Sequence, residues 1–422
     1  MRSYKRYVAS SPIEVLSDRP VAVTENRLSL LRERSFLTLW SIGAVASIVR
    51  WLEMLAIGVY VFDITGSPLQ VALMTVIRMA PLALAGMLSG AIAESFNRRT
   101  LLLGGFVAMA VQSAGLAWWS LEYTVPIWAL ALASFTNGVF WTTDFSARRT
   151  IMAEVAGPRR IGVAMSLDSI TSNGTRMLGP ALGGLTLQFV GLTGTFLIGA
   201  GFYLIGIVAL IKFRHQERST GADEAQGIFA RMLEGLRYIR TNRTLTGTLM
   251  VTIVFNVWGF PMTSMIPVIG KEILELSPFP VGLLMSAEGA GATLGALLIT
   301  AWSQPNMYKR LYFYGVFLYL DMVLLFSHTL WPSLSSVWLI VLGLGGAAFA
   351  AMQAALVLLY TEPAFRGRVM GVLAVCIGTG PIGFLHVGWM ASHLGAPQAL
   401  AIMAAEGIAA LLIVAILYPE VD

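Results

Sequence analysis

Ionisable residues are scarce in the apolar stretches of this 422-residue chain, so the few present there stand out as groups that could do chemistry. Arg50 and Glu53 are three residues apart, and Asp168 and Arg176 are eight apart. Arg78 stands alone, and Glu288 sits in the small-residue string SAEGAGATLGA. A carboxylate in an apolar setting can take up and release protons, because burial and nearby charge tune its ionisation. An arginine there offers several donors in a rigid fork that suits an anionic group. Glu53, Glu288 and Asp168 are therefore the candidate proton carriers. Arg50, Arg78 and Arg176 are candidates for substrate binding, with Asn137, Trp141, Asn256, Trp258, Gln353 and the titratable His386.

Each candidate has a structural alternative. Arg50 and Glu53 share one helix face and could simply neutralise each other. Arg176 precedes Gly179, Pro180, Gly183 and Gly184, so it could brace helix packing. Arg78 could be a gate charge or a buried structural cation, and Asp168 could pair locally. A lone histidine could simply be hydrogen-bonded, and each aromatic could pack against core or lipid. Asp321 and Glu406 read as structural.

Other chemistry finds no support. HExxH, CxxC, Walker-loop and nucleophile-elbow patterns are missing, and histidines 215, 328, 386 and 393 lack metal-ligand spacing. No enzyme activity, metal or cofactor is expected. The single cysteine, Cys376, excludes an internal disulfide.

The elements that must hold these residues are membrane helices. The chain is 56% hydrophobic and 12% charged, with mean hydropathy +0.74. A soluble domain carries roughly twice that share of charge. Apolar runs of about 20 residues suit bilayer-spanning helices. Twelve are expected, at 34–62, 68–94, 100–121, 125–147, 160–190, 193–213, 246–270, 280–303, 310–328, 333–361, 367–391 and 397–418. The fold class is thus an all-α membrane protein of twelve transmembrane helices in two six-helix lobes. The expected layout is a tail (1–32), a first lobe (33–213), a linker with an amphipathic surface helix (214–245), a second lobe (246–418) and a short C-terminus (419–422). The first 30 residues lack the apolar stretch of a signal peptide.

Of the 28 lysines and arginines, 24 fall in the tail and the loops on its side, one (Lys271) on the other side and three inside spans. This asymmetry predicts cytoplasmic termini and a multi-pass protein of the inner membrane, with a bacterial source expected. It also accounts for the net charge of +5 through topology and lipid contact, so no nucleic-acid partner is expected.

Between spans 2 and 3 lies SGAIAESFNRRT. Its Gly90, Glu94, Arg98 and Arg99 resemble the loop motif G-x-L-A-D-R-x-G-R-R of the major facilitator superfamily. LLRERSFLTLW, FDITGSPLQV, RMLGPALGG, EGLRYIRTNRTL and FRGRVMG are similar to segments of its siderophore-exporter and macrolide-efflux branch. The resemblance covers nearly the whole chain from residue 30. It implies a monomeric exporter of an amphipathic small molecule, siderophore or drug-like, driven by proton antiport. Spans 1, 4, 7 and 10 are then expected to line the path. Relatives of that branch often carry an acid where Arg50 stands, which turns attention to Glu53 one turn on. The motif with Asp144, Arg148, Arg149, Arg366 and Arg368 is expected to form a gate. The halves echo each other, with Gly179-Pro180 matching Gly380-Pro381. A lipid or lysolipid flippase of the same fold and a non-transporting sensor stay open as alternatives.

Overall fold

The computed structural model describes residues 27–92, 97–157, 160–213, 228–362 and 365–421. Every regular element among them is helical. Span 1 is Arg34–Thr65, span 2 Pro68–Ile92, span 3 Arg98–Glu122 and span 4 Ile127–Ala156. The helix Ile161–Lys212 contains span 5 (161–190) and span 6 (192–212). Span 7 is Arg243–Glu272, span 8 Pro278–Trp302, span 9 Tyr308–Ser327, span 10 Pro332–Leu359, span 11 Arg366–Leu394 and span 12 Ala396–Leu417. Nine helices among the described residues are long and apolar enough to cross a bilayer. One of them, Ile161–Lys212, holds two spans, and spans 2 and 4 complete the twelve.

The boundaries follow from local chemistry. Asn97 caps span 3 by accepting the Thr100 N–H at 3.0 Å, and Asn242 caps span 7 by accepting that of Leu245 at 3.2 Å. Spans 5 and 6 reverse at one residue, Gly191, whose φ of 66° and ψ of −174° suit glycine and exclude an ordinary side chain. Span 7 departs from α geometry in mid-membrane. A wide π turn (Phe255–Gly259) runs into a tight 3-10 turn (Phe260–Ser264) containing Pro261.

Large apolar side chains such as Val111, Leu297 and Ile416 are exposed around the bundle, as lipid contact requires. Trp118, Trp128 and Trp331 are also exposed, near span ends, where amphipathic rings favour the membrane boundary.

The two ends of the bundle differ. Call the end carrying Arg98, Arg149, Arg310 and Arg366 the basic end. At the opposite end one apolar core joins both lobes, running from Leu55, Val61 and Met74 to Ile266, Leu284 and Met390. Toward the basic end the cores separate. The first lobe keeps its own around Phe36, Phe106 and Tyr203, and the second around Leu245, Val357 and Leu373. Gly162 and Gly174 of span 5, and Gly367 and Gly371 of span 11, have no described residue packed on them. Among the described residues, the lobes share one apolar core at the far end and keep separate cores toward the basic end.

The linker helix Ile228–Arg240 sits on span 11. Tyr238 stacks on Phe365 at 4.4 Å, and Glu234 pairs with Arg368 at 3.1 Å.

Candidate functional site

A cavity of about 130 Å³ lies mainly in the first lobe, lined by spans 1, 2, 4 and 5 with Phe260 of span 7. Its wall carries Arg50, Arg78, Arg148 and Arg149 against Asp144 and Asp168, a surplus of two positive charges. Arg50 and Arg78 are 9% and 7% exposed. Arg50 Nη2 donates to Ser47 Oγ at 2.8 Å, while Nη1 has no partner among the described residues. Arg78 Nε has none either. In place of carboxylates these cations meet indole rings. Arg50 lies 5.4 Å and Arg78 5.6 Å from the Trp141 centroid, and Arg78 and Arg176 each lie 5.9 Å from that of Trp51. A cation–π contact contributes about 0.5–2 kcal/mol. Holding a charged side chain in a span costs about 2.5–3.5 kcal/mol on insertion scales, so the indoles offset only part of it.

Arg50 and Glu53 form no pair, correcting the neutralisation that their spacing suggests. Three residues separate them by about 60° around the helix, and Glu53 is drawn to the other side. There it accepts Ser113 Oγ of span 3 at 2.6 Å and Tyr203 Oη of span 6 at 3.4 Å. The carboxylate is 1% exposed, inside the first lobe, and does not line the cavity. Spans 3 and 6 of the same lobe supply these two partners.

Asp168 and Arg176 also go separate ways. Eight residues set them about 12 Å apart along the helix. Asp168 accepts Arg148 Nη1 at 2.6 Å and Arg149 Nε at 2.7 Å, while Arg148 Nε reaches Asp144 at 3.0 Å. Both oxygens of Asp168 are occupied, which makes it an anchor for the basic end of spans 4 and 5 and a poor proton carrier.

Arg176 turns to the second lobe and pairs with Glu288 of span 8. Around this pair the lobes come into backbone contact. Pro180 lacks the N–H that would bond the Arg176 carbonyl, so that oxygen is free of the helix ladder. Gly289 packs on it so closely that a Cβ there would lie 2.7 Å away. The Ala181 N–H donates to Ser286 Oγ at 2.9 Å, and the Phe279 N–H to Gln188 Oε1 at 3.0 Å. Asp63 and Lys271 add a second inter-lobe pair at 3.0 Å. The links at Ala181, Phe279 and Lys271 lie toward the far end, and the Arg176 contacts lie at the inner edge of that half. Ser286, Gln188 and Asp63 were not singled out from the sequence, and Lys271 was read only as the lone basic residue of the far side. The glycine and proline string of span 5 signalled close packing without saying which helix lay opposite.

The gate residues are distributed as follows. Gly90 lies in span 2, and Glu94 lies outside the described residues. Arg98 pairs with Glu154 at 2.6 Å. Arg99 donates to the carbonyls of Leu210 and Ile211 at 3.0 and 2.8 Å, capping the end of span 6. Arg366 reaches the Thr361 carbonyl at 3.4 Å, and Arg368 holds the linker helix. These bonds stay within one lobe or between the second lobe and the linker.

In the second lobe Asn256 donates to the Thr252 carbonyl at 2.9 Å, and Gln353 to Thr252 Oγ1 at 3.3 Å. Tyr312 of span 9 completes this knot at 2.7 Å from Thr252 Oγ1. Trp258 and His386 point elsewhere. Trp258 Nε1 donates to Glu406 of span 12 at 3.0 Å, and His386 Nδ1 lies 3.7 Å from the same oxygen. The wide turn of span 7 directs Trp258 to a peripheral helix, so these two do not join the cavity. Asn137 is buried on span 4 beside Arg78 and Ser134, in a small apolar recess toward the far end. Among the described residues no cluster of His, Cys, Asp and Glu could hold a metal ion.

Comparison with known proteins gives a consistent outcome. An MFS-type transporter of Bacillus subtilis, YfiS, is 26% identical over 271 residues, 63% of this chain and 64% of its own length. Macrolide efflux protein A of Streptococcus pyogenes is 21% identical, covering 85% of this chain and 90% of that protein. The staphyloferrin A transporter of Staphylococcus aureus is 18% identical, covering 64% and 68%. Among solved structures, the nucleoside transporter NupG superposes with a TM-score of 0.72 at 14% identity, covering 91% of this chain and 99% of its own. That likeness shows the two-lobed major facilitator fold. This is a fold of multi-pass membrane transporters, not of enzymes. The family model described as transmembrane secretion effector matches residues 25–422, so the chain belongs to that family of MFS transporters.

Proposed function

We propose that the protein is a secondary exporter. It takes an amphipathic small molecule from the cytoplasm and releases it outward by alternating access, in exchange for protons. The observation that carries this reading is the Arg176–Glu288 pair, with one partner in each lobe at the inner edge of the sealed half. Sealing with an ion pair requires an ionised Glu288. When the seam opens outward, the carboxylate parts from Arg176 and takes a proton from that side. Closing the seam again discharges the proton toward the basic end. Proton entry is thereby tied to the step that resets the transporter. Glu53, whose hydrogen-bond partners all belong to the first lobe, has no such hold on the seam.

The 24-to-one asymmetry of basic residues supports a cytoplasmic basic end, with both termini there and the protein in a bacterial inner membrane. The cavity then lies open to the cytoplasm. The efflux and siderophore-transporter names of the relatives support a small molecule as cargo.

Proteoliposomes carrying a pH gradient and an internal pH dye test the proposal against a panel of macrolides and carboxylate siderophores. A cargo molecule should accelerate dissipation of the gradient. Glu288→Gln should lower that cargo-driven proton flux at least tenfold, and Glu53→Gln should leave it within about twofold. Undiminished proton flux in Glu288→Gln would sink the assignment.

A further inference from the structure

Resting on the transport reading above, we infer that the cavity is an anion cage, and that the cargo carries a carboxylate or phosphate group on a planar or apolar body. Arg50 and Arg78 are more than nine-tenths buried, and neither has an ion-pair partner among the described residues. Every acid around them is engaged elsewhere. Asp144 holds Arg148, Asp168 holds Arg148 and Arg149, Glu53 accepts Ser113 and Tyr203, and Glu288 holds Arg176. A cationic cargo would meet a wall with a surplus of two positive charges and no free carboxylate. An oxyanion would meet unpaired guanidinium donors, the best-matched partners a protein offers it.

Trp141 lies beneath both cations and offers a flat face to the body attached to the anion. The volume fits this division. About 130 Å³ holds a charged head group, whereas pockets for whole drug-sized ligands measure roughly 300–1,000 Å³. The body therefore extends past Phe145, Thr171 and Ser172 toward the basic end, where the lobes part.

The test is binding to the purified full-length protein in a non-ionic detergent, read by tryptophan fluorescence. The probes are 2-naphthylacetate, 2-naphthyl phosphate, 2-naphthylacetamide and 2-naphthylethylamine. At least one anion should bind ten times or more tighter than the amide and the amine. Whichever anion binds tighter identifies the head group as carboxylate or phosphate. Arg50→Gln and Arg78→Gln should each weaken that anion at least tenfold and leave the amide within twofold. An amine binding as tightly as both anions, or anion affinity unchanged in both variants, overturns the cage. Should a variant fail to fold, the probe series on the unaltered protein still decides. Anion binding without transport in proteoliposomes would sink the exporter and leave the cage standing. Gradient-driven transport of the amine, with neither anion carried, would do the reverse.

Discussion

The two lobes share a frame and differ in chemistry. Spans 5 and 6 reverse at Gly191, and spans 11 and 12 reverse at Gly395, with φ of 66° and 84°. Gly179-Pro180 sits inside span 5, and its counterpart Gly380-Pro381 restarts span 11 after an interruption at Gly378. On this common frame the first lobe buries a chain of charges, from Arg78 and Arg50 to Asp144, Arg148 and Asp168. The second lobe places neutral groups in its interior, the Thr252–Tyr312–Gln353 knot and a stack of Phe255, Phe349 and Tyr312 with ring centroids 3.8 and 5.4 Å apart. Among the described residues its buried charge toward the first lobe is Glu288 alone, already paired with Arg176. The repeated sequence thus preserves where helices turn and touch, while the buried charges gather in one lobe and neutral groups fill the other.

The sharpest way to break this contrast is to remove one charge. Asp168→Asn leaves two guanidinium groups facing a neutral amide, so it should destabilise the protein by about 3–5 kcal/mol, read as a lowered unfolding temperature in detergent. In the second lobe, Gln353→Leu removes one neutral bond and should cost about 1 kcal/mol. Equal losses would mean the lobes are not divided in this way.

A smaller effect is expected on the conformational balance. A Cβ at Gly282 would lie 2.4 Å from the Pro180 carbonyl, whereas one at Gly174 would meet no described residue within 4 Å. Gly282→Val should hold the seam apart and raise labelling of a cysteine placed at the far end by about tenfold. Gly174→Val should leave labelling unchanged, and similar responses from both would refute the sealed-end assignment. A tenfold change corresponds to about 1.4 kcal/mol.

The smallest effect compares corresponding turns. Spans 1 and 2 turn at Gly66 with φ of 59°, and spans 7 and 8 turn at Glu275 with φ of 50°. Gly66→Ala should cost about 1 kcal/mol, because a Cβ is disfavoured in that conformation. Glu275→Gly should not destabilise the protein, since relief of the turn offsets the added freedom of the unfolded chain. Melting curves of the two variants decide whether the turns are equivalent.

Much of the frame was legible in the sequence. Twelve apolar runs, the glycines between them and the basic loops follow from rules that act within a few residues. Partners were much less legible. Spacing along one helix says which residues share a face, and nothing says which helix that face meets. Glu53 finds Ser113 and Tyr203 on helices outside the four expected to line the path, and Arg176 finds Glu288 112 residues away. Trp258 missed the cavity because a π turn, which leaves no periodic signature, rotates that part of span 7. The unpaired state of Arg50 and Arg78 was hidden for the same reason: it depends on where four other acids turn.

The reversals described above have a further consequence. On the face opposite the basic end, the spans are joined by residues 66–67, 123–126, 191, 273–277, 328–331 and 395. A protease, an antibody or an adaptor protein approaching from that side finds almost no protruding chain to grip. Under the proposed export reading, cargo released at that face would meet only these short turns before the surrounding fluid.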